Sequence, residues 1–115
     1  MTAEEVGKLL GFAALYDNRK VDVPDVVAWH RVLGDLPYTD AEDAVAAHYT
    51  DSTERLMPAH VRQRVKAIRG KRLDDAEPHL EPPSGLDGPA YQRWLIDSRK
   101  RIADGHDKPR TLEAR

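Results

Sequence analysis

No cysteine occurs in the 115 residues of this chain. That excludes a disulfide framework, thiolate metal ligation and a cysteine nucleophile, and it suits a reducing compartment. No apolar run approaches the roughly 20 residues needed to span a bilayer, and the opening MTAEEVGKLL lacks the basic-then-apolar pattern of a secretory leader. A cytoplasmic location with no membrane partner is the expectation. Aromatic residues are scarce at 6%, so a core has to be built mainly from Val, Leu and Ala, and a domain of this size has little stability to spare. A glycine-rich phosphate loop and a nucleophile elbow are both missing. The histidines are His30, His48, His60, His79 and His106, and no two of them stand three or four residues apart, the spacing that sets two imidazoles on one helix face. The sequence nominates no catalytic residue, no metal ligand and no cofactor site.

Charge is present in both signs but unevenly placed. The formal net charge is −2. Residues 1–57 carry five bases against eleven acids, whereas residues 58–73 hold Arg62, Arg64, Lys66, Arg69, Lys71 and Arg72 with no acid. Residues 74–88 then carry Asp74, Asp75, Glu77, Glu81 and Asp87 with no base, and the remainder is basic again. Such blocks speak more directly about partners than the net charge does.

Hydrophobic spacing predicts helices throughout, and no window alternates with period two as a strand would. Thr2 and Glu5 form a capping-box pattern ahead of Val6, Leu9, Leu10, Ala13 and Tyr16, which predicts a first helix over 3–16. Asp22-Val23-Pro24 opens a second helix, with Val26, Trp29, Val32 and Leu33 as its buried stripe and Gly34 as a left-handed stop. Thr39 and Glu42 repeat the capping box before Ala41, Ala44, Val45, His48 and Tyr49. Pro58 opens a fourth helix along Val61, Val65 and Ile68, with Gly70 near its end. The predicted fold is all-α: a bundle of four helices over 1–73, an acidic Pro-rich linker over 74–89, a short amphipathic helix over 90–104 and a tail over 105–115.

Two features point to macromolecular binding. The bases of the fourth helix, Arg62, Arg64, Lys66, Arg69, Lys71 and Arg72, suit nucleic-acid phosphates or an acidic partner, or they form a solvated face balanced by Asp40, Glu42 and Asp43 or by the linker. The last helix places Tyr91, Trp94, Leu95 and Ile102 on one sector, an apolar stripe that needs a surface to cover it. That surface is the chain's own core or a groove on a partner. Trp29, in the middle of its stripe, reads as core.

The segment from Tyr16 to Ile68 resembles the phage and prophage replicative-helicase loader/inhibitors, in the form found in actinobacterial phages. The positions that carry the resemblance are Tyr16, Trp29 followed by Leu33, the Leu36-Pro37-Tyr38 turn with Ala44 and Tyr49, and the Pro58-led helix with Val61 and Ile68. The resemblance implies a folded helical amino-terminal domain and a flexible carboxy-terminal region that holds a hexameric replicative helicase. It also implies control of helicase loading or activity in DNA replication. It stops at Ile68, so the nominated partner contacts Tyr91, Trp94, Leu95 and Ile102 rest on amphipathicity alone. The residues by themselves also admit a small DNA-binding regulator using the basic helix 58–72, or an inhibitory module for another protein. Acidic Asp40, Glu42 and Asp43 oppose a helix-turn-helix reader built on the third helix, and weak non-specific DNA binding is the expectation.

Overall fold

A computed structural model describes residues 1–105, all of whose regular structure is helical: α1 (Ala3–Asp17), α2 (Val23–Leu33), α3 (Tyr38–Asp51), α4 (Pro58–Ala76) and α5 (Gly88–Ala103), with a 3-10 turn at Glu77–His79. His106 and the rest of the predicted tail lie outside the described residues. The chain divides within α4 into two compact units, residues 1–68 and the residues from 69 onward.

In the first unit the local signals act much as their chemistry requires. Thr2 Oγ1 accepts from the Glu5 amide at 3.1 Å while Glu5 Oε1 accepts from the Thr2 amide at 2.8 Å, a reciprocal cap that starts α1. Asn18, at φ 56°, supplies the left-handed stop and donates to the Ala14 carbonyl. Val6, Leu9, Leu10 and Ala13 then share one face and enter a cluster with Trp29 and Leu33 of α2, Ala41, Ala44 and Val45 of α3, Leu56, and Val61 and Val65 of α4. Trp29 is core, as its place in the stripe predicts.

Three local expectations are corrected. Gly34 is right-handed, at φ −60° and ψ −23°, so it is no left-handed cap. Its need is space: a Cβ there would stand 2.8 Å from the His30 carbonyl oxygen and 3.1 Å from the His30 ring. The third helix begins two residues earlier than its capping-box pattern suggests, with Pro37 in the cap position and the Tyr38 hydroxyl donating to Glu42 at 3.1 Å. Val32, assigned to the buried stripe of α2, is 41% exposed, because a step of about 100° per residue carries it away from Trp29 and Leu33.

Helix α4 also runs on past Gly70 to Ala76, into the segment expected to be linker. One internal glycine costs only about 1 kcal/mol, and Lys71 pairs with Asp75 one turn on at 3.0 Å. Pro78 sets the limit, since it has no amide to bond the Asp74 carbonyl and its ring crowds that carbonyl, so the chain passes into the 3-10 turn. In the second unit Asp87 caps α5 by accepting from the Ala90 amide at 2.8 Å. The side chains most buried there are Ala76, Ser98, Ile102 and Ala103.

Candidate interaction surfaces

Most of the basic residues of α4 are occupied by the chain itself. In the first unit Arg62 donates to both carboxylate oxygens of Asp35, at 2.7 and 3.2 Å, and to the Val32 carbonyl at 2.8 Å, while Arg64 donates to Asp51 at 3.0 Å. The hydrogen bond from Arg62 holds the Asp35 carboxyl below its ordinary value. In the second unit Arg69 meets Asp104 at 2.6 Å and Arg72 donates to the Ala103 carbonyl at 2.8 Å. Acids that pair with this helix include Asp35, Asp51, Asp75 and Asp104. Sequence nominated Asp40, Glu42 and Asp43 or the acidic linker; the linker supplies Asp75, whereas Asp35 and Asp104 are brought in by folding. Lys66 is exposed and has no ion pair among the described residues.

The stripe on α5 is divided. Ile102, nominated to face a partner, is 6% exposed and belongs to the interior of its unit, where the Arg72 bond to Ala103 and the Arg69–Asp104 pair close the same end of the helix. Further toward the amino end the stripe stays open. Tyr91 is 38% exposed, Trp94 and Leu95 are half-buried, and the Tyr91 and Trp94 rings lie 6.0 Å apart.

One cluster had no signal in the sequence. Arg19 grips Asp17 with contacts of 2.6–3.0 Å and also donates to the Leu56 carbonyl at 2.7 Å. The Tyr49 hydroxyl donates to Asp17 and accepts from the Leu56 amide. The Arg19 guanidinium lies over the Trp29 ring, 5.1 Å from its centre. Burial would raise the Asp17 carboxyl, but hydrogen bonds from Arg19 and Tyr49 outweigh it and bring it down to about 2. Residues at the end of α1, in the loop after it, on α3 and in the loop before α4 are thus tied at one point. Beside it lies a cleft of about 180 Å³ lined by Leu10, Trp29 and Met57 together with the charged Arg19, Lys20, Asp25 and Arg55. Such a node joins positions with no periodic relation, so no pattern rule finds it.

The outer side of α2 is the other surface that pattern reading missed. Val23 is 76% and Val27 62% exposed, and with Val32, Pro24 and Ala28 they cover the side of the helix away from Trp29 and Leu33. Arg31 is the charge among them. Among the described residues no group of three His, Cys, Asp or Glu side chains could hold a metal ion, and no helix is long and apolar enough to cross a membrane. No protein-family model, curated protein or solved structure matches the chain.

Proposed function

We propose that the chain is a non-catalytic protein-binding adaptor, and that its partner is a hexameric replicative helicase whose loading or activity it controls. The observation that supports docking is the open amino-terminal half of the α5 stripe. Tyr91, Trp94 and Leu95 stand partly uncovered on a capped helix whose other end is already anchored by Ile102 and Arg72. An aromatic pair held on such a helix suits a hydrophobic groove, where one anchor can contribute about 2 kcal/mol or more. The helicase enters from the resemblance of Tyr16 to Ile68 to the phage loader/inhibitors. A DNA-binding role has weaker support, because Arg62, Arg64, Arg69 and Lys71 would first have to leave their carboxylates.

The test is reconstitution with a purified actinobacterial replicative helicase, reading complex formation by sedimentation and helicase activity by ATP hydrolysis and strand unwinding. A complex that changes either activity and loses at least tenfold in affinity with Trp94→Ala supports the proposal. Absence of a complex at micromolar concentrations removes the helicase, and a complex indifferent to Trp94→Ala removes the docking surface.

A further inference from the structure

Helix α4 has no acid in its first turn, and its start depends on a histidine. Met57 is the cap residue: its carbonyl accepts the first bonds of the helix, from the amides of His60 at 2.9 Å and Val61 at 3.4 Å. Its own amide donates to His60 Nδ1 at 2.9 Å. That is half of a capping box, in which the third helical residue reaches back to the cap amide, and the residue used there is ordinarily Glu or Gln. A glutamine accepts at every pH, and a glutamate accepts above the carboxylate range. A histidine accepts only while Nδ1 is unprotonated.

The neighbours of His60 come from three elements. His48 of α3 is buried and stacks on the His60 ring, with 4.6 Å between centres. His48 Nε2 lies 2.7 Å from the Glu54 carbonyl oxygen, which only accepts, so that nitrogen carries a proton. From the loop, the Glu54 carboxylate stands 3.5 Å from His60 Nε2. On α4 itself Arg64 lies one turn on and is paired with Asp51 of α3. A proton added to His60 Nδ1 therefore meets the Met57 N–H, places a positive charge at the positive end of α4 and sets that charge against a stacked imidazole. The group that favours it is Glu54, whose side chain is 75% exposed and acts through solvent.

We propose that His60 is a proton-operated cap: neutral, it holds the start of α4 and the loop before it, and protonated, it releases both. This inference does not depend on the proposed helicase partner. The cap secures more than one helical turn. Leu56, the residue before it, is completely buried, its amide donates to the Tyr49 hydroxyl at 2.9 Å and its carbonyl accepts from Arg19 at 2.7 Å. The capped amide thus adjoins the anchor that ties the loop into the core. The neutral ring is the capping form, so the cap is present above the ordinary histidine value of about 6.5 and is withdrawn as pH falls below it. That range is separate from the Asp17 carboxyl, which titrates at about 2.

Two measurements on the full chain test this. In the nitrogen NMR spectrum at about pH 7.5, a unit above the ordinary histidine value, His60 should show an unprotonated Nδ1 and a protonated Nε2. Hydrogen exchange, corrected for its intrinsic dependence on pH, should show the protection of the Leu56 and Met57 amides falling about fivefold or more by about pH 5.5, the factor that accompanies loss of a typical cap. The amides of Leu9 and Leu10 should keep theirs. His60→Gln preserves the acceptor and takes up no proton, so in that variant the protection of the loop should hold across the same range. A protonated Nδ1 at the higher pH overturns the proposal, as does unchanged protection of Leu56 and Met57 in the native chain. Equal loss in His60→Gln also overturns it, because the switch would then lie on His48 or Glu54. The tautomer and the exchange of the native chain decide the matter even where the variant folds poorly.

Discussion

The first unit buries twelve apolar side chains in one cluster drawn from four helices and the loop before α4, among them Leu9, Leu10, Leu33, Leu56, Val61 and Val65. In the second, the buried side chains among the described residues are two alanines, a serine and Ile102, and much of the linkage is polar: Arg69 with Asp104, Lys100 with Asp104, Arg99 with Glu77, and Arg72 with the Ala103 carbonyl. Burial of apolar surface is insensitive to ionic strength and acts cooperatively, whereas partly exposed ion pairs contribute little each and are screened by salt. Two helical regions of one chain thus resist different insults, and the second falls at the low-stability end where opening is local.

The largest effect that could break this contrast lies in the first unit. Leu9 is completely buried, and Leu9→Ala removes three carbons from a cluster that collapses only partly. A loss of about 3 kcal/mol in the unfolding free energy of residues 1–68 is expected from denaturant titration. A loss under about 1 kcal/mol would mean that the cluster is loosely packed.

The next effect concerns the one strongly charged node of that unit. The Asp17 carboxyl titrates at about 2 instead of 3.8, so its folded value is depressed. Its contribution is full above about pH 4 and is lost as pH falls toward 2. The shift corresponds to about 2 kcal/mol. Asp17→Asn should therefore cost roughly that amount at neutral pH and flatten the acid limb of stability against pH between 4 and 2. An unchanged acid limb would show that Arg19 and Tyr49 do not hold Asp17 in solution.

Periodicity exposed what depends on neighbours three and four residues apart: the α1 stripe, the Thr2–Glu5 cap, the Trp29 core position and the helical class of the described residues. It failed where a rule had two physical causes. Gly34 looked like a conformational stop and is a packing glycine, because the same residue type serves both needs. Val32 looked buried because a valine beside Leu33 fits an apolar run, and only the helix angle puts it outside. Of the nominated contacts, Ile102 went to the interior while Tyr91, Trp94 and Leu95 stayed partly open, a division that the α5 stripe by itself does not announce. The Asp17–Arg19–Tyr49 node joins residues 32 apart, beyond any spacing rule.

In the second unit the corresponding change is Ile102→Ala. Its surroundings hold few other buried side chains, so the site can collapse more fully, and about 1–2 kcal/mol is expected, at or below the low end for such truncations. Hydrogen exchange separates this from a global effect. The amides of α5 should lose protection while those of α1 and α3 keep theirs. Equal loss in both units would make them one cooperative structure and remove the contrast.

The smallest effect sharpens the comparison most, because it asks what kind of force holds the second unit. Asp104 accepts from Arg69 at 2.6 Å and from Lys100 at 3.2 Å, and the hydrogen bond from Arg69 holds its carboxyl below the ordinary value. The pair is partly exposed, with side-chain accessibilities of 27% and 20%, so Asp104→Asn should cost no more than about 1 kcal/mol. The direction of the carboxyl shift places this contribution above the ordinary aspartate range, and it is lost on acidification. Screening gives the second readout. Raising salt from about 0.05 to about 0.5 M shortens the Debye length to about a third, which should speed exchange of the α5 amides in the native chain and leave those of α1 unchanged. In Asp104→Asn the salt effect on α5 should shrink toward nothing. If it persists at full size, the charges that matter lie elsewhere in the unit, at Arg99 and Glu77.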